Sequence, residues 1–207
     1  MAERVKRPPL RSPRRLRAPS AANLGGTPRE SMVLAAAALL GERGLVGTSF
    51  SEVLERSGAP RGSIYHHFPA GKDGLTAEAI TLVGDRVLAL FRHVDGERPR
   101  QVVGRIVAAW RDVMVESGCM AGCPIAAVSN ERLEHPGLGE QAAKVFAAWE
   151  RTLAATLVAA GMPRAKAGGS ATLILAALEG ALILCRARRE IAPLDAVGVG
   201  LAAFVGP

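Results

Sequence analysis

Cysteine, lysine and aromatic residues are all scarce in this 207-residue chain: three cysteines, four lysines against 22 arginines, and 4% aromatics. Three cysteines cannot all pair, and without a secretion signal a disulfide framework is not expected; Cys119, Cys123 and Cys185 should be buried or half-buried thiols. Cys119 and Cys123 lie four apart with Glu131 and His135 nearby, but they lack the paired knuckles of a structural zinc site, so no metal is expected. No run alternates long enough for a strand and no repeat is visible, which excludes sheet folds and solenoids. No apolar run reads as a membrane span. There is no phosphate-binding glycine loop, no Ser-His-Asp order with local support and no carboxylate cluster at metal spacing, so neither an enzyme nor a cofactor is indicated.

What is present is an ordinary globular composition, 49% hydrophobic and 22% charged. The arginine bias fits genomic composition as well as it fits function. Location says more. Residues 1–29 hold eight basic side chains and one acid, while the rest of the chain balances, so the whole net charge of +7 sits at the N-terminus. Arg4, Lys6, Arg7, Arg11, Arg14, Arg15, Arg17 and Arg29 alternate with prolines, a composition that resists helix and is expected to be a disordered tail over residues 1–27. Such an arm suits a phosphate backbone or a minor groove, with affinity that weakens as salt rises; a solvated tail without a role is the alternative.

The densest local signal is TSFSEVLERSGAPRGSIYHHFPAGK, Thr48 to Lys72. Ser49 and Glu52 form a capping box, so a helix should start at Phe50 and bury Phe50, Val53, Leu54 and Ser57. Gly58 supplies the left-handed stop. Pro60 suits the first position of a second helix running to about His67, in which Ile64 and Phe68 pack inward and Arg61, Gly62, Tyr65 and His66 face out. Two short helices around a glycine turn make a helix-turn-helix. A helix from Pro28, capped by Thr27 and ending near Gly44, would scaffold it.

This window, roughly Pro28 to Leu82, resembles the TetR family of dimeric transcriptional repressors. GCPIAAVSNE, Gly122 to Glu131, resembles the effector domain of the LmrA/YxaF-type subgroup. The resemblance implies an all-α fold of about nine helices: a helix-turn-helix DNA-binding domain over residues 28–72 and a ligand-binding and dimerisation domain over residues 73–207. It implies that Thr48, Arg61, Gly62, Ser63, Tyr65, His66, His67 and Lys72 lie at the DNA face. Many members carry Ser or Thr where this chain has Pro60, which removes a hydroxyl from that face. Arg61 can fork onto guanine, Gly62 permits close backbone approach, and Lys72 at a helix start suits a phosphate.

Beyond that window the apolar patterns predict helices from Lys72 to about Asp95–Gly96, from Pro99 to near Gly118, over 124–131, 138–160 and 163–188, and from Pro193. Val107, Trp110 and Met114 on one helix can face Phe146, Trp149 and Leu153 on another, either as core or around a flat, weakly polar effector. Ala171, Leu175, Leu178 and Leu182, with Leu201 and Phe204, form stripes that suit a four-helix dimer interface or packing within one chain. A cytoplasmic homodimer on a double-stranded DNA operator is the expectation, with two reading helices held about 34–36 Å apart. The rival is a sequence-indifferent nucleic-acid binder driven by the basic tail.

Overall fold

The first helices begin where a side chain can replace a missing backbone partner. In a computed structural model describing residues 27–92 and 96–206, α1 spans Pro28–Arg43. The Glu30 amide donates to the Thr27 hydroxyl at 3.3 Å, and the Thr27 amide donates to the Glu30 carboxylate at 2.8 Å. α2, Phe50–Ser57, starts on the same reciprocal box between Ser49 and Glu52, at 3.2 and 3.0 Å. These bonds satisfy amides that a helix start leaves open. Gly58, at φ 70°, ends α2 in the left-handed region. The basic arm over residues 1–26 lies outside the described residues.

The second helix of the motif is shorter than expected. α3 covers Ser63–His67, and Arg61 and Gly62 form a turn before it. The Ser63 amide and hydroxyl both donate to the Pro60 carbonyl, at 3.0 and 2.7 Å. The first turn therefore closes on an i to i+3 bond, while Gly62 already has helical φ and ψ of −74° and −18°.

α4 spans Gly71–Phe91, ending short of the expected Asp95–Gly96. Arg105 donates to the Leu90 carbonyl near the end of α4 and pairs with Glu97 at 2.8 Å. α5 is Pro99–Glu116, α6 Pro124–Asn130, α7 Pro136–Ala159, α8 Arg164–Arg188 and α9 Ala192–Val205. Among the described residues there are nine helices and no strand.

α4 joins the head, α1 to α3, to the body. α7 runs parallel to it and donates side-chain bonds to its carbonyls every two turns: Gln141 to Ala77 at 2.8 Å, Trp149 to Gly84 at 3.0 Å, and Thr156 to Phe91 at 2.9 Å. Gly84 lets the two helices approach closely there: a Cβ on it would meet Val145 Cγ1 at 3.1 Å, so the valine would have to give way.

α8 corrects one sequence expectation. By length and composition it is apolar enough to cross a membrane, although 44% of its most apolar stretch is buried inside the protomer. It is apolar on two faces: Ala171, Ile174, Leu178 and Ala181 are buried, while Leu173, Ile183 and Leu184 are exposed. A helix apolar all round is one whose two sides are both meant to be covered.

Candidate nucleic-acid interface and effector region

The head buries the apolar side of α3 and leaves most of its polar side exposed. Ile64 and Phe68 are buried, as their four-residue spacing requires, against a core that includes Met32, Leu40, Leu45 and Val53. Arg61, Gly62, Tyr65 and His66 are exposed, and Ser63, His67 and Lys72 half-buried. Among the described residues neither Arg61 nor Lys72 takes part in an ion pair, so both cations keep their donors for a ligand. Tyr65 is 70% exposed, yet its ring meets Phe50 edge-on at 5.6 Å. Phe50, the first residue of α2, thereby orients a reader on α3. His67 packs edge-on against Phe68, with ring centroids 6.4 Å apart.

Thr48 departs from its expected place near a phosphate. It is 2% exposed, and its hydroxyl donates to the Gly44 carbonyl at 2.8 Å, so its side chain shapes the turn between α1 and α2. Ion pairs brace that turn. Arg43 pairs with Glu52, and Arg56 holds both oxygens of Glu42 at 2.9 Å. The Glu52 carboxyl is held below its ordinary pKa by the hydroxyl and amide of Ser49, with Arg43 adding to this.

In the body, three of the six expected effector residues, Trp110, Phe146 and Trp149, form an aromatic cluster with Phe91, which the sequence showed only as the end of a helix. Phe91 stacks on Trp110 at 6.3 Å and 9°, and meets Trp149 edge-on at 6.3 Å. Phe146 meets Trp149 edge-on at 5.4 Å. Met114, Trp149 and Leu153 are fully buried, whereas Val107, Trp110 and Phe146 are half-exposed. An open cleft of about 560 Å³ lies elsewhere, between α1 and α4, lined by residues including Arg29, Glu78, Leu82, Asp85 and Gln141 and by none of the six.

The expected dimer stripe is divided by the fold. Ala171, Leu175, Leu178, Leu182 and Leu201 lie inside the protomer, and Phe204 is exposed. The apolar surface that α8 and α9 leave uncovered is instead Leu173, Ile183, Leu184, Val199 and Phe204, with Ala176, Ala196 and Ala203 among them. Periodicity alone could not choose between the faces, because both are apolar.

The three thiols are free, Cys119 and Cys185 buried and Cys123 half-buried. Burial, and then the nearby Glu179 carboxyl, push the Cys123 thiol well above its ordinary pKa; burial likewise raises Glu179. Both groups favour their neutral forms beside the loop joining α5 to α6.

Comparison with known proteins agrees with this geometry. Residues 33–79 match the family described as bacterial regulatory proteins, tetR family, and residues 99–199 match the transcriptional regulator LmrA/YxaF-like C-terminal domain. An HTH-type transcriptional regulator of Mycobacterium tuberculosis is 40% identical over 176 residues, spanning 82% of this chain and 90% of its own length. The HTH-type transcriptional regulator YxaF of Bacillus subtilis is 29% identical over 172 residues, spanning 82% and 90%. A TetR transcriptional regulator from Legionella pneumophila shares the fold with a TM-score of 0.78 at 21% identity, over 88% of this chain and 98% of that one. A TetR transcriptional regulator from Chloroflexus aurantiacus gives 0.67 at 29% identity, over 86% and 93%. A capped helix-turn-helix within a three-helix head, an all-helical body and these matches place the chain in the TetR family of transcriptional regulators, with a C-terminal domain of the LmrA/YxaF type.

Proposed function

We propose that this chain is a ligand-responsive repressor that binds a palindromic operator as a homodimer in the cytoplasm. The observation that carries the reading is the exposed Arg61, which takes part in no ion pair among the described residues, beside Gly62 and Tyr65. Arg61 would read a guanine edge, Gly62 would let the backbone approach, and Tyr65 and His66 would complete the reading face, while Lys72 and Ser63 would hold phosphates. His67 serves mainly to pack the helix end.

Residues 28–72 act as the DNA-binding unit and residues 73–207 as the effector and dimer unit, with α4 running between them. The exposed face of α8 and α9 supports pairing of two copies, because a patch of this composition is costly to leave in water. The effector is a small hydrophobic molecule that enters beside Trp110 and Phe146 and parts the cluster around Phe91. Only the difference in its affinity for the open and closed clusters could shift the DNA-binding state.

Selection of bound sequences from a random duplex pool tests the proposal. A repressor of this kind enriches one inverted repeat, and deleting Met1 to Pro19 leaves that repeat selected with a shallower salt dependence. Enrichment of no sequence, or loss of all binding on that deletion, would establish the rival binder driven by the basic tail.

A further inference from the structure

The end of α1 is held from the far side of the molecule. A helix leaves its last carbonyls without intrahelical partners. Here the Gly44 amide takes that of Leu40, at 2.9 Å, and the Arg186 guanidinium on α8 donates to that of Glu42, at 2.7 Å. The two residues are 144 apart in sequence. A cation at a helix C-terminus also meets the negative end of the helix dipole.

The approach is close on all sides. A Cβ on Gly41 would lie 2.3 Å from the Gly122 carbonyl oxygen, and one on Gly122 would lie 2.5 Å from the Gly41 oxygen and 2.7 Å from Arg186 Nη1. α1, the loop between α5 and α6, and α8 therefore meet at one point where only glycine fits. The contact continues into the DNA-reading motif, because the Glu42 carboxylate is forked onto Arg56 in the last turn of α2.

α4 already connects head and body through the chain. The Arg29–Glu78 ion pair already braces α1 on α4, and the tie at the end of α1 adds a hold from α8 that α4 does not supply. We infer that Arg186, seated in the Gly41–Gly122 contact, is a positioning residue for DNA reading: it clamps the head to α8 and passes through Glu42 and Arg56 to the helix-turn-helix. This inference rests on the DNA-reading role proposed above, and it adds a route between α8 and the head that does not run along α4. Any rearrangement that turns α8 or displaces Gly122 acts on α2 through this point.

The test uses the full-length chain and three variants, Arg186→Ala, Gly122→Ala and Arg186→Lys. Amide hydrogen exchange over residues 39–58 reads the clamp without DNA. Affinity for a duplex taken from the DNA flanking the chain's own gene, at fixed salt, reads its consequence. Arg186→Ala and Gly122→Ala should each speed exchange in that segment and weaken specific binding by roughly tenfold, within the span of typical coupling between sites. Arg186→Lys, which keeps a donor for the Glu42 carbonyl, should stay nearer the parent on both readouts, and all should keep the parent's helix content. Unchanged exchange in Arg186→Ala overturns the clamp. Faster exchange with undiminished specific binding overturns the positioning role. If the parent itself shows no specific binding, the DNA-reading proposal fails and with it the positioning role, while the exchange arm still decides whether the clamp exists.

Discussion

The head and the body are both helical, yet they hold their function at different ranges of sequence. In the head the helix-turn-helix, its capping box and its stop glycine all lie within Thr48 to Lys72, and the capping bonds span three residues. In the body the decisive contacts join residues far apart: Trp149 reaches Gly84 and Thr156 reaches Phe91, each across 65 positions. The two regions also handle charge in opposite ways. The head surrounds Glu52 with donors that favour its charged form, whereas the body half-buries Glu179 and favours its neutral form.

Trp149→Ala strikes the body hardest. It removes a buried aromatic and leaves the Gly84 carbonyl without its partner, and chemical denaturation should show a loss of about 3–5 kcal/mol. If the body's role is packing, stability falls and the readers on α3 keep their exposure. A loss under about 1 kcal/mol would mean that the cluster is loosely filled.

Ile183→Glu tests the proposed dimer face. Two uncompensated charges buried in a symmetric interface should weaken association by about 3–5 kcal/mol, seen by sedimentation as monomers with intact helicity. Persistent dimers would move the interface elsewhere.

Arg61→Ala addresses the head alone. It should cost about 1–3 kcal/mol of sequence discrimination per half-site, read by competition between specific and random duplexes, with thermal stability unchanged. Equal loss on both duplexes would reassign Arg61 to phosphate contact.

The smallest effect separates the regions by pH. Glu52, lowered in the folded state, supports the head above its ordinary pKa of 4.5, and that support fades as pH falls through the lowered value. Glu179 is raised, so its contribution is complete below 4.5 and is lost as pH rises through the raised value. Glu179→Gln should therefore flatten the alkaline side of a stability–pH curve, and Glu52→Gln the acidic side. Identical curves for the two variants would erase the contrast.

These ranges explain what was legible in the sequence. Both capping boxes, the Gly58 stop and the inward pair Ile64 and Phe68 depend on neighbours within one or two turns, and each stands where spacing put it. Thr48 did not, because a hydroxyl before a capping residue can serve a phosphate or its own turn, and only the fold shows that the Gly44 carbonyl takes it. On α8 the apolar pattern named Ala171, Leu175, Leu178 and Leu182 for the dimer, but the helix is apolar on both faces and the core took that one. Phe91 was legible as the last apolar residue of a helix, and nothing local could place it between two tryptophans. Arg186 carried no signal beyond a basic residue near a helix end, since its partner lies in another domain.

The outward face of the helix-turn-helix, Arg61 in the turn before α3 together with α3 itself, is proposed to select a DNA sequence. Footprinting on the DNA flanking the chain's own gene tests it most directly. Protection of one palindrome by the parent chain is expected, with that protection abolished by Arg61→Ala. Uniform coverage of the fragment, or an identical footprint from Arg61→Ala, would contradict it.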